Sequence, residues 1–224
     1  MKTLAASLSI LTREGVMLYL LRGVAFTCII SVLGVIMGLI VGSLLALART
    51  YCKKGPARIL GWFAAAYIEL FRCTPNLLWI LFIYFTVQGI DIFISTLAFT
   101  LFTSAVMAEI VRAGLNAVPA GQFEAAQSQG FGFFATMRYI ILPQTFRIIT
   151  PALFGQCTTV IKDSSYLSGI NVAEFMYTTN VVMAHAVSLD QVLMLYGFVF
   201  ALYFALNFGI SLLVRRYQRK VAAA

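Results

Sequence analysis

Apolar residues come in runs too long for the core of a soluble domain. From about residue 19 to 47 the chain is almost unbroken hydrocarbon, and roughly 20 such residues cross a bilayer as a helix. Four more runs follow, at about 59–87, 92–115, 144–161 and 191–214. Between them lie a basic loop with Arg49, Lys53, Lys54 and Arg58 and no acid, a turn at 88–91, a polar loop at 116–143 and a mixed segment at 162–190. The strict alternation expected of an outer-membrane barrel is absent. The pattern predicts an all-α polytopic membrane protein with about five transmembrane helices over residues 19–214. Residues 1–18 would form an extracytoplasmic or interfacial segment, since Met1–Leu11 makes a poor leader. Residues 215–224 would form a basic tail.

Composition agrees. Of 224 residues, 61% are hydrophobic and 11% charged, against roughly 25% charged in soluble domains. The net charge of +8 sits at the ends of the apolar runs, so it reads as a topology signal rather than a nucleic-acid surface. The 49–58 loop carries four basic residues, the 116–143 loop has Arg138, and the tail has Arg215, Arg216, Arg219 and Lys220. That excess places these segments in the cytoplasm and the N-terminus outside. Cys28, Cys52, Cys73 and Cys157 are scattered. They form no metal or redox spacing and read as core filler. The lone His185 cannot make a metal site.

Glycines Gly34, Gly38 and Gly42 recur every fourth residue, which puts a small-residue stripe on one face of the first span and permits close helix packing. Charges inside spans are costly and default to functional readings. Glu69 and Arg72 are three apart, as are Glu109 and Arg112, so each couple can pair along its helix. The second couple reads as structural. Thr74 and Pro75 follow the first, and the proline is expected to break the helix. Lys162, Asp163, Ser164 and Ser165 close the fourth run. Together with Glu69, Arg72 and Thr74 they supply cations for an amino-acid carboxylate, acids for its ammonium group and neutral hydroxyls.

The 116–143 loop reads Glu124-Ala125-Ala126, three residues, Gly130, nine residues, then Ile140-Ile141-Leu142-Pro143. Two alanines keep one helix face small for an approaching partner, Gly130 ends that helix, and Pro143 would restart the chain as the next span. The pattern E-A-A-x3-G-x9-I-x-L-P is met at every position and resembles the EAA loop of binding-protein-dependent ABC importer permeases. Ala108-Glu109-Ile110-Val111-Arg112, Asn116-Ala117-Val118-Pro119, Phe71-Arg72-Cys73-Thr74-Pro75 and Lys162-Asp163-Ser164-Ser165 are similar to segments of the polar amino acid group, of histidine, glutamine, arginine or opine type. Cys73 departs from its usual glycine, Ser164 from threonine, Tyr166 from leucine and Val106 from tyrosine.

The resemblance covers about residues 18–218. It implies an ABC type I importer permease fold in a bacterial inner membrane. Its partners would be a second permease subunit, identical or homologous, a dimer of ABC ATPase subunits met by Glu124, Ala125, Ala126 and Gly130, and an extracytoplasmic amino-acid-binding protein. The chain has no G-x-x-x-x-G-K-[ST] phosphate loop, so ATP and magnesium would belong to the ATPase, and no enzyme activity or cofactor is expected here. The rival reading is an ATP-independent ion or solute channel, which would leave the EAA-like loop unexplained.

Overall fold

The computed structural model describes residues 9–89 and 91–222. Among them there is no strand. The helices are α1 (Val16–Tyr51), α2 (Arg58–Arg72), α3 (Asn76–Thr86), α4 (Asp91–Ala117), α5 (Ala120–Ser128), α6 (Phe133–Thr136), α7 (Leu142–Asp163), α8 (Phe175–Met183) and α9 (Leu189–Ala222). A π-turn at Met137–Ile141 joins α6 to α7, and a 3-10 turn at Ser164–Ile170 follows α7.

Among the described residues, three helices are long and apolar enough to cross a membrane: α1, α4 and residues Leu189–Arg219 of α9. The expected second span is not one helix. It is the pair α2 and α3, bent by 105° at a break of three residues, and it makes a fourth candidate. Cys73, Thr74 and Pro75 lie at the bend, and Pro75 has no N–H to give to the preceding turn. The fourth expected span, 144–161, lies within α7. Its 22 residues suffice in length, but Gln144, Arg147 and Gln156 leave it too polar to qualify by composition. Gln144 Nε2 and Thr150 Oγ1 donate to carbonyls four residues back, at 2.9 and 2.6 Å, which satisfies them without water.

Three further segments bear on the expected organisation. The interfacial segment lies outside the described residues up to position 8, and residues 9–15 are turns and bends. Residues 215–222 of the basic tail are helical, because α9 runs on through Ala222. The chain after Gly130 becomes helical at Phe133, ten residues before Pro143. Pro143 sits inside a continuous helical path, directly after the π-turn. A π-turn re-registers the backbone just where the proline ring would crowd the carbonyl four residues behind.

The chain divides into two compact units. The first contains residues up to 34, 77–99 and 157–224. Its core gathers Ile10, Leu20, Phe175, Val182, Leu195 and Val199, with the Phe175 ring 5.5 Å from that of Tyr203. The second contains residues 35–76 and 100–156. Ala46 of α1, Ile68 of α2, Ala108, Val111 and Leu115 of α4 and Ile149 of α7 meet in its core.

The glycine stripe of α1 does what its spacing predicts. A Cβ at Gly34 would lie 2.8 Å from Phe99 Cβ, one at Gly38 2.9 Å from Thr103 Cγ2, and one at Gly42 2.6 Å from the Ser104 carbonyl oxygen. No methyl fits at those distances, so only glycine lets α1 and α4 approach this closely. The four cysteines do not fill the core as expected: Cys73 is exposed and the other three are half-buried.

Candidate coupling loop and substrate site

The second unit carries the EAA-like loop. Val118 is buried and Pro119 precedes α5 with extended ψ, so the helix starts where the proline ends the preceding one. Its C-terminus is a complete Schellman motif. Gly130 has φ +83°, the Gly130 N–H donates to the Gln127 carbonyl at 2.9 Å, and the Phe131 N–H donates to that of Ala126 at 3.0 Å. Gly130 thus ends α5 as the sequence requires.

The two alanines do not share a face. Ala126 is 3% exposed and belongs to the buried side, together with Phe123, whose ring lies 6.3 Å from that of Tyr51. Glu124 and Ala125 point outward. Adjacent helix residues are about 100° apart, so Ala126 serves the chain's own packing, and the surface open to a partner is Glu124 and Ala125.

The same unit gathers five charges. Glu109 of α4 is only 17% exposed at its side chain. Arg49, from the last turn of α1, donates through Nη1 to Glu109 Oε1 at 2.8 Å and through Nη2 to Glu69 Oε1 at 3.0 Å. Arg112 grips both oxygens of Glu109, with Nη2 2.6 Å from Oε2. Arg72 reaches Glu109 Oε2 at 3.9 Å and stays 42% exposed. The expected Glu109–Arg112 pair therefore forms. The expected Glu69–Arg72 pair does not, because each finds a partner on another helix. Arg49, taken from the sequence as a topology charge, is the residue that joins the set. Arg72 and Glu109 line a cavity of about 540 Å³ with Gly114 and Ile149. Thr74 Oγ1 donates to the Leu70 carbonyl at 2.6 Å.

The remaining candidates lie in the first unit. Lys162 is exposed and Asp163 half-buried at the end of α7. Ser165 Oγ donates to the Lys162 carbonyl at 2.8 Å. Ser164 departs from expectation: it is fully buried and donates to the Ile161 carbonyl at 2.8 Å. Its hydroxyl is bonded within the turn.

One group was not singled out in the sequence. Glu174, an acid of the 162–190 segment, is 0% exposed. It caps α8, accepting from the Met176 and Tyr177 N–H groups at 2.9 and 2.7 Å and from Thr27 Oγ1 at 3.3 Å. Burial pushes its carboxyl up to about 7, against those three hydrogen bonds. The signal available was an acid directly before the start of a helix, a capping position. Among the described residues no cluster of three or more metal-ligating side chains occurs.

The chain matches the family described as "Binding-protein-dependent transport system inner membrane component" over residues 34–223. It is 31% identical to a glutamate/aspartate import permease protein of Escherichia coli O6:H1, over 91% of this chain and 94% of that one. It is 36% identical to a chain of Rickettsia prowazekii named for glutamine transport system permease activity, over 74% and 77%. Among solved structures it resembles an amino acid ABC transporter crystallised with histidines, with a TM-score of 0.81, 28% identity and coverage of 94% and 98%. With the family match running from the middle of α1 to the end of α9, the chain belongs to the inner-membrane components of binding-protein-dependent transport systems.

Proposed function

We propose that this permease subunit imports polar amino acids by alternating access, driven by a separate ATPase that docks on α5. The observation that carries the coupling role is the arrangement of α5. Glu124 and Ala125 face outward, Ala126 and Phe123 hold the helix to the second unit, and Gly130 ends it. Such a helix is short, rigidly seated and free on one side. Closure of two ATPase subunits would move two such helices together, one from each permease of a pair, and rock the spans around a midplane site. An extracytoplasmic binding protein would deliver the substrate. The basic 49–58 loop and tail favour a cytoplasmic C-terminus and an outside N-terminus.

In this reading Arg72 and Lys162, each within its own unit, are candidates to take the substrate carboxylate. Arg72 suits the role because Glu109 holds it loosely and it borders a cavity. Asp163 and Glu69 face the ammonium group or a basic side chain, Glu69 keeping one oxygen free of Arg49. Thr74 and Ser165 add neutral hydrogen bonds, and Ser164 supports the turn. The relatives named for glutamate/aspartate and glutamine transport and the amino acid transporter structure support a polar amino acid as cargo.

The test is co-purification of the tagged chain in detergent with ATPase activity measured on the eluate, with Glu124→Lys as the control. An ATPase that accompanies the unaltered chain and is lost in the control supports docking at α5. An ATPase retained by Glu124→Lys moves the docking surface elsewhere.

A further inference from the structure

The second unit has an apolar groove whose lining includes neither the outward face of α5, Glu124 and Ala125, nor any residue of the charge cluster. It has a volume of about 980 Å³, near the top of the range for ligand pockets, roughly 300–1,000 Å³. Leu44 and Ala48 of α1, Phe63 and Tyr67 of α2, and Phe134 and Met137 around the α6 turn line it. The Tyr67 hydroxyl is turned away, donating to the Leu101 carbonyl at 2.8 Å, so its ring presents only hydrocarbon. Phe134 is 86% exposed.

Cations lie in and beside this groove. Arg138 and Cys52 belong to its lining. Lys53 and Lys54 follow Cys52 directly, and Arg58 opens α2 two residues before the lining residue Leu60. All four cations are exposed, and among the described residues none takes part in an ion pair. No acid lies between Arg49 and Arg58. The combination is a hydrocarbon slot with Arg138 in its lining and with Lys53, Lys54 and Arg58, none of them in an ion pair, in the segment where α1 turns into α2. That is the two-part chemistry of an anionic phospholipid, with an acyl chain along the slot and a phosphate headgroup on the basic rim.

We infer that this groove is a binding site for an anionic membrane phospholipid, seated with its acyl chain against Phe63, Tyr67 and Phe134 and its phosphate on Arg138, Lys53 and Lys54. The groove walls are two spans and the segment that follows α5. A lipid held there would brace the base of α5, so the anionic lipid content of the bilayer would bear on coupling. The groove alone takes any acyl chain, and the rim makes the site selective.

Quenching by brominated lipids tests this. The full chain, with any subunits that co-purify, is reconstituted with Phe63→Trp on a Trp62→Phe, Trp79→Phe background. The vesicles contain phosphatidylcholine with increasing fractions of chain-brominated phosphatidylglycerol or chain-brominated phosphatidylcholine. Half-quenching is expected at a mole fraction of the anionic lipid lower by about fivefold or more. Arg138→Gln, Lys53→Gln and Lys54→Gln together should bring the two lipids to the same midpoint. Equal midpoints with the cations in place would overturn the headgroup site. No quenching by either lipid would overturn the proposal as well. Both outcomes are read with native charges, so they do not depend on the triple variant folding.

Discussion

Arg49 and Glu109, 60 positions apart, make a 2.8 Å ion pair that ties the end of α1 to α4. The same guanidinium holds Glu69 of α2, so one side chain links three helices. Glu109 meanwhile faces Arg49, Arg112 and, more loosely, Arg72. Removing the acid leaves three cations without their shared counter-charge. Removing Arg49 leaves Glu109 with Arg112.

Thermal unfolding in detergent should therefore rank the variants. Glu109→Ala is expected to lose most, about 3 kcal/mol, the low end for breaking a shielded ion network. Arg49→Ala should lose about 1–2 kcal/mol, and Arg72→Ala, half-exposed and 3.9 Å away, under about 1 kcal/mol. An Arg72→Ala loss equal to that of Glu109→Ala would contradict the arrangement.

Arg72→Ala should nevertheless abolish most uptake, since its proposed role is toward the solute and not the fold. Asp163→Ala should do the same. Uptake of a polar amino acid into vesicles carrying the full transporter, at matched expression, is the measurement. Unchanged uptake in both variants would remove the substrate assignment while leaving the coupling loop untouched.

Gly42→Val tests the helix approach. A side chain there meets the Ser104 carbonyl oxygen and Met107 Cβ at 2.6 and 2.8 Å, and backbone cannot step aside. Overpacking of this kind costs about 1–3 kcal/mol, read as a lower melting temperature. Gly197→Ala in α9, where nothing lies near an added Cβ, should not lower the melting temperature and should raise it slightly, since alanine favours a helix over glycine by about 0.4–1 kcal/mol; it serves as the control.

Glu174 makes stability pH-dependent. Its carboxyl titrates near 7 in the folded chain and near 4.5 when exposed. Between those values the folded chain binds a proton that the unfolded chain releases, so stability falls as pH rises through this window. The contribution is full below about 4.5 and gone above about 7, a span of about 3 kcal/mol. Glu174→Gln cannot ionise, keeps one amide oxygen to accept from one of the Met176 and Tyr177 N–H groups, and should flatten the slope. An equally steep decline in the variant would assign the titration to another group.

What the sequence determined by itself is local. Hydrocarbon runs identify membrane helices because lipid demands them over a fixed length. The four-residue spacing of Gly34, Gly38 and Gly42 names a helix face without knowing its partner. Pro75 breaks a helix and Gly130 ends one through their own backbones, whatever surrounds them. The EAA-like pattern spans 20 contiguous residues, 124–143, and could be read whole. Tertiary structure alone decided the rest. Glu69 bonds to Arg49 instead of its helix neighbour Arg72, because a side chain pairs with whichever charge the fold brings within about 4 Å. Ala126 turns inward although Ala125 does not, since burial depends on where the core lies around the helix. Glu174 is shielded only because α8 and Thr27 of α1 meet. An acid between Ala173 and Phe175 looks like any surface charge until those elements close over it.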